Sequence, residues 1–156
     1  MVVVADTSPI NYLVLIAQIE LLTQLYNRIL IPPAVLAELK HPLAPKPVRE
    51  WASDAPGWLE VLSPKSSLIL AQLDQGESEA IALATEVHAE VLLIDEQAGR
   101  QEAIRRGLKV AGTLSVLDEA DQAGLCVFYD AVAQLRQTSF RVSPAVLLEI
   151  RQKRSR

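Results

Sequence analysis

The sequence predicts an α/β fold built on a parallel sheet, and three observations carry that prediction. Val2-Val3-Val4-Ala5 and Val91-Leu92-Leu93-Ile94 are apolar runs with no polar alternation, the pattern of strands covered on both faces. Each run ends on an aspartate, Asp6 or Asp95, and each aspartate is followed by a segment of helical character. Strand-like and helix-like segments then alternate along the chain, which implies parallel strands joined by right-handed crossovers. In such sheets ligands bind outside the carboxyl ends of the strands, so both aspartates are expected at one functional edge.

The elements follow in order. After the first strand, Ser8 and Pro9 offer a cap and a first-turn proline, and Ile10, Leu13, Val14 and Ala17 recur at helical spacing. Residues 28–31 read as a second strand stopped by Pro32-Pro33, whose second proline opens a helix over 34–40. A proline-rich connection over 42–47 leads to a helix over 47–54, and residues 58–62 read as an edge strand or a merely extended segment. Asp74-Gln75-Gly76-Glu77 has capping-box character and launches a helix over 77–87. Helices over 96–106 and 113–123 end at Gly107 and Gly124, with a short strand over 108–110 between them. Helices over 129–137 and 144–153 close the chain. No solenoid-length repeat or low-complexity linker interrupts it, so residues 1–156 read as one domain with C-terminal helices and a basic tail over about 143–156.

Composition sets the outer bounds. With 156 residues, 50% of them hydrophobic and 22% charged, the chain is long enough to bury one substantial core. Cys126 is the single cysteine, which excludes an internal disulfide framework and a cysteine-based zinc cluster and suits a reducing cytoplasm. Asp6 and Asn11 interrupt the apolar N-terminus, no basic leader precedes it, and no run approaches the roughly 20 residues that span a bilayer. A membrane partner is therefore not expected. The net charge of −4 and the 4% aromatic content argue weakly against a broad nucleic-acid footprint. The distribution of charge is more informative. Acids concentrate from Asp74 to Glu102 and at Asp118 to Asp121, while Lys40, His41, Lys46 and Arg49, and the tail Arg151 to Arg156, are basic. That is an arrangement suited to a cation site that receives a polyanion, although a basic tail is equally a solvated helix end favoured by the dipole.

Two carboxylates converging at a sheet edge repel unless something positive stands between them, and oxygen ligands suit a hard divalent cation. Glu79 shares a spacing-four row with Leu83 and Val87, so it needs a partner or a metal. Glu77 has a ready structural role closing the cap on Asp74, and Glu38 lies at the border of a buried face where a surface position beside Lys40 or Arg49 also serves. Asp6 and Asp95 each suit a helix cap, and Asp118, Glu119 and Asp121 read as a solvated face. His41 and His88 lack ligand spacing and read as surface residues; no glycine-rich phosphate loop follows the first strand.

Asp6-Thr7-Ser8-Pro9-Ile10, Val35-Leu36-Ala37-Glu38-Leu39, Gly76 to Ala84, Leu92 to Arg100 and Gly112-Thr113-Leu114, in that order and spacing, resemble a bacterial branch of the PIN-domain superfamily related to VapC-type toxins. The resemblance covers nearly the whole chain. It implies a three-layer α/β/α sandwich with a central parallel sheet, and an acidic cluster that binds Mg²⁺ or Mn²⁺ and hydrolyses RNA phosphodiesters. Position by position, it implies catalytic and metal-binding roles for Asp6, Glu38, Glu79 and Asp95. The family's aspartate in an Asp-Ala-Ile-x-Leu-Ala segment is replaced here by Glu79, which leaves Glu77 as the alternative ligand. Ser8 or Thr7 matches a hydroxyl that supports the first aspartate, and Arg100 suits a carboxylate or a substrate phosphate. A small antitoxin partner and a homodimer are further implied. The alternatives are a non-catalytic PIN-like binding or interaction module and a metal hydrolase of small phosphoesters.

Overall fold

The computed structural model describes residues 1–66 and 70–154. In chain order the elements are β1 (Val3–Ala5), α1 (Thr7–Leu15), α2 (Leu21–Tyr26), β2 (Ile29–Ile31), α3 (Pro33–Leu39), α4 (Lys46–Ser53), β3 (Leu59–Val61), α5 (Gln75–Glu86), β4 (Val91–Leu93), α6 (Gln97–Arg105), β5 (Val110–Ala111), α7 (Thr113–Gln122), α8 (Phe128–Leu135) and α9 (Pro144–Arg154). Every strand pair is parallel and the sheet order is β3-β2-β1-β4-β5. β1 is therefore the centre of the sheet.

The two apolar runs earn their lack of alternation, because helices cover both faces. Val3, Ala5, Ile29, Ile31 and Leu93 face the larger core, with α1, α2, α4, α7, α8 and the buried Ile150 of α9. Val4, Leu92 and Ile94 face the smaller one, with Ala80, Ile81, Leu83 and Ala84 of α5 and Ala103 of α6. The result is the three-layer sandwich. Each large side chain so enclosed contributes about 1.5–3 kcal/mol of transfer free energy, and Ile10, Leu13, Ile81 and Phe128 are among those fully buried. Among the described residues, no helix is long and apolar enough to cross a membrane.

Three local expectations change. Asp6, not Ser8, precedes α1 in extended conformation, and Pro9 sits inside the first turn. Helix α2 carries no cap motif; it exists because Ala17, at φ 58°, turns the chain and lets Leu21, Leu22 and Tyr26 enter the core. Of the expected solvated face of Asp118, Glu119 and Asp121, only Glu119 is exposed, while Asp118 is buried and Asp121 half-buried. Asp118 is 4% exposed and takes an ion pair from Arg154 at 2.5 Å, while Arg154 also reaches Asp121 at 3.2 Å and lies over the Phe128 ring. Glu119 accepts a hydrogen bond from the Tyr26 hydroxyl at 2.8 Å, and Asp121 accepts one from the Phe128 amide at 2.7 Å, at the start of α8. The tail is thus a clamp that holds α9 on α7, as far as Arg154; Ser155 and Arg156 lie outside the described residues.

Candidate active site

The sheet order places a topological switch point between β1 and β4: the chain winds one way through β2 and β3 and the other way through β4 and β5. Crevices form at the carboxyl ends of the strands at such points. Asp6 leaves β1 and Asp95 leaves β4, on neighbouring strands, and the Asp6 amide donates to the Leu93 carbonyl at 2.8 Å. The two aspartates thus leave neighbouring strand ends, as the sequence led one to expect, but they line adjoining hollows and not a single one.

A groove at this edge is lined by Asp6, Thr7, Glu38, Asp74, Glu77 and Glu96. Asp6 is 5% exposed; its carboxylate makes no cap hydrogen bond to α1, and its Oδ1 is buried with no hydrogen-bond partner among the described residues. Burial drives its pKa well above the ordinary aspartate value; the Thr7 amide opposes this, and the charges of Glu77, Asp74 and Glu38 add to it. Glu38, projecting from α3, accepts a hydrogen bond from the Thr7 hydroxyl. Its pKa is raised, by burial first, against the Thr7 hydrogen bond and with the charges of Asp74 and Glu79.

Glu77 closes the cap of α5 with one carboxylate oxygen and leaves the other unbonded at the groove. Oε1 accepts from the Asp74 amide at 3.1 Å while Asp74 Oδ1 accepts from the Glu77 amide at 2.7 Å, completing the capping box on α5. Oε2 remains buried and without a partner among the described residues. Burial again raises the pKa, opposed by the Asp74 amide and reinforced by the Asp74 and Glu96 charges. Glu79 is directed elsewhere. It accepts from the Ala34 amide at 3.2 Å and from Gln75 Nε2 at 3.0 Å, tying α5 to the start of α3, and it does not line the groove.

Asp95 stands at the adjoining wall and is held by others. Its Oδ1 accepts from the Thr113 amide at 2.7 Å, and its Oδ2 accepts from the Thr113 hydroxyl at 2.7 Å and the Ser8 hydroxyl at 2.9 Å. It is therefore not the cap of its own helix, whose N-cap is Glu96; it binds the first residue of α7 instead. Ser8 thus supports Asp95, and Thr7 supports Glu38. Thr113 has a role the sequence did not assign, since a lone hydroxyl after Gly112 carries no mark of a bond to a residue 18 positions earlier. Gly76 is a second such residue: a Cβ there would stand 2.2 Å from Glu38 Oε2.

The free oxygens of the groove are of the chemical kind that a hard divalent cation takes. Asp6 Oδ1 and Glu77 Oε2 are hard oxygen donors buried without partners, and unpaired buried carboxylates are costly unless neutralised by a proton or a cation. Among the described residues, no three or more histidine, cysteine, aspartate or glutamate side chains are gathered closely enough to hold a metal ion between them; the acids line an open groove instead.

The pKa directions give a testable sign. Asp6, Glu38 and Glu77 all bind protons more readily folded than unfolded, where ordinary values are 3.8 and 4.5. Their stabilising contribution is complete below the unfolded values and is lost as pH rises through the raised folded ones. In metal-free protein, calorimetry should therefore show a melting temperature that falls from about pH 5 to pH 8, and saturating Mn²⁺ should flatten that fall. Glu102, lowered to about 2 by Arg105 and Arg106, has the opposite sign, stabilising above 4.5 and losing that effect only as pH drops towards 2, outside this window. A profile equally steep with and without Mn²⁺ would separate the titration from the cation.

This geometry has relatives. The structure is similar to a solved PilT N-terminus domain protein, SSO1118, from the hyperthermophilic archaeon Sulfolobus solfataricus P2, with a TM-score of 0.53 and 15% identity over 92% of this chain and 100% of that one. At that identity the likeness concerns the fold. No curated protein matches the chain. Residues 2–156 match the family described as DUF3368: PIN domain, and the chain belongs to that PIN-domain family. PIN domains are in general metal-dependent nucleases.

Proposed function

We propose that this chain is a Mg²⁺- or Mn²⁺-dependent endoribonuclease whose cation is held by Asp6, Glu38, Glu77 and Asp95. The observation that carries the reading is the pair of buried, partnerless carboxylate oxygens, Asp6 Oδ1 and Glu77 Oε2, at the switch point of the sheet. When bound, the cation supplies an activated water and neutralises charge building on the phosphate. The protein's part is positioning. Thr7 fixes the Glu38 carboxylate, Ser8 and Thr113 lock Asp95 against rotation, and the Asp74 box holds Glu77 at the head of α5. Because these groups are set by hydrogen bonds before substrate arrives, little reorganisation is needed during the reaction.

The choice of Glu77 over Glu79 is tested by two isosteric changes. Glu77→Gln should lower the single-turnover rate of RNA cleavage by roughly a hundredfold or more, and weaken Mn²⁺ binding in calorimetric titration. Glu79→Gln should leave both within about threefold. The reverse ranking would return the role to Glu79. The sequence resemblance extends the reading to a cytoplasmic toxin–antitoxin pair, with a small antitoxin over the groove and a homodimer of this chain. A solution mass of two chains and co-purification of a small protein encoded beside it are the expected results; a monomer that purifies alone when co-expressed with its neighbour would count against both.

A further inference from the structure

Beside the acidic groove lies a second cavity, of about 380 Å³, bounded by α1, α6, α7 and the segment that leads into α9. Ser8, Tyr12 and Glu96 line both hollows, so they share a wall. The second has different chemistry. Asp95 and Glu96 reach its edge, but Arg100 and Arg141 line it too, and neither pairs with an acid among the described residues, whereas Arg28, Arg105, Arg106 and Arg154 all do. Arg100 Nη1 and Asp95 Oδ1 each lie 2.8 Å from where a Cβ on Gly112 would stand. That oxygen is already taken by the Thr113 amide, which leaves the half-buried guanidinium free to donate into the cavity.

Two aromatic side chains line the same cavity. Tyr12 and Phe140 meet edge to face at 5.0 Å and 76°, and the Tyr12 hydroxyl shares a 2.8 Å hydrogen bond with Ser139. This contact ties the segment before α9 to the helix that follows Asp6, so the wall is built and not a loose loop. Although the chain has only seven aromatic residues, two of them are spent here. A volume in the range of small-ligand pockets, lined by two unpaired cations and a ring pair, suits a phosphate joined to a flat base.

We propose that this cavity is a nucleotide subsite for single-stranded RNA. It holds the nucleotide next to the phosphodiester in the acidic groove, its phosphate on Arg100 and Arg141 and its base against Phe140 and Tyr12. The inference rests on the nuclease reading for the direction of the strand, and it explains how a chain of net charge −4 draws a polyanion to a carboxylate-lined groove.

The test uses the full chain in EDTA, where no metal-dependent cleavage occurs, and fluorescence anisotropy of a labelled random-sequence RNA 12-mer. Arg100→Gln with Arg141→Gln should weaken binding about tenfold and lower the salt slope by roughly 1 to 1.5. Phe140→Leu, which keeps an apolar filler, should weaken binding about fivefold or more. A nucleoside monophosphate should displace the RNA at lower concentration than inorganic phosphate. The Mn²⁺-induced rise in melting temperature should be unchanged in all variants, since their acidic groove is intact. Equal affinity and salt slope in the arginine variants, equal displacement by phosphate and nucleotide, or no RNA binding by the wild type each overturn the subsite. Arginine-dependent RNA binding by a protein that fails to cleave in Mn²⁺ overturns the nuclease reading and leaves the subsite standing.

Discussion

Asp6→Asn should abolish RNA cleavage, lowering the single-turnover rate at least about a hundredfold, and at the same time make the metal-free protein more stable. The two effects have one cause. Asp6 is the most enclosed acid of the groove, its Oδ1 has no donor among the described residues, and Glu77, Asp74 and Glu38 raise its pKa by their charge. An ionised Asp6 is an uncompensated buried charge, so the neutral amide should raise stability by on the order of 1 kcal/mol or more. Because the pKa is raised, the gain should be larger at pH 8 than at pH 5. Mn²⁺ should reverse the order, stabilising the wild type and leaving the variant unmoved. Denaturant titrations at both pH values, with and without Mn²⁺, read all four quantities; a variant less stable than the wild type at pH 8 without metal would show that Asp6 serves the fold and not the cation.

Gly76→Ala should keep the fold and lose the activity. Gly76 lies in the first turn of α5, and alanine in a helix is favoured over glycine by about 0.5–1 kcal/mol. The nearest atoms to the added methyl are all in the Glu38 carboxylate, at 2.2, 2.8 and 2.9 Å. They form the far end of a flexible side chain, so Glu38 yields and α5 stays, at the expense of its hydrogen bond from Thr7. Thermal stability should change by no more than about 1 kcal/mol, while cleavage drops roughly a hundredfold. Gly57→Ala, where nothing stands within 4 Å, is the matched control. Retained activity in Gly76→Ala would remove Glu38 from the reaction.

The sheet was legible because its strands are buried on both faces, and a run such as Val91 to Ile94 admits few other readings. Most helices announced themselves by caps and glycines, whereas α2 did not, because the turn at Ala17 uses a positive φ in a residue that carries no turn signal. For the site, strand ends gave Asp6 and Asp95, but the support of Asp95 by Thr113 depends on β5 lying beside β4, which no local pattern encodes. Capping and catalysis stood as rival roles for Glu77, yet the cap uses one carboxylate oxygen and leaves the other to the groove. The clamp of Arg154 on Asp118 was hidden in the same way, since partners 36 residues apart look like two solvated runs until α9 folds back.

The bond from the Asp6 amide to the Leu93 carbonyl has a consequence for the order of events during synthesis. Asp6 and Thr7 emerge from the ribosome ahead of the strand beside them and of the Thr113 that steadies Asp95, which come roughly a hundred residues later, several seconds at ordinary elongation rates. Until β4 takes its place against β1, the acids have no common edge on which to meet. Under the nuclease reading proposed above, a ribosome making this chain would not be exposed to a working site on the half-finished product: the edge that carries the acids is completed late, when the middle strand acquires its second neighbour.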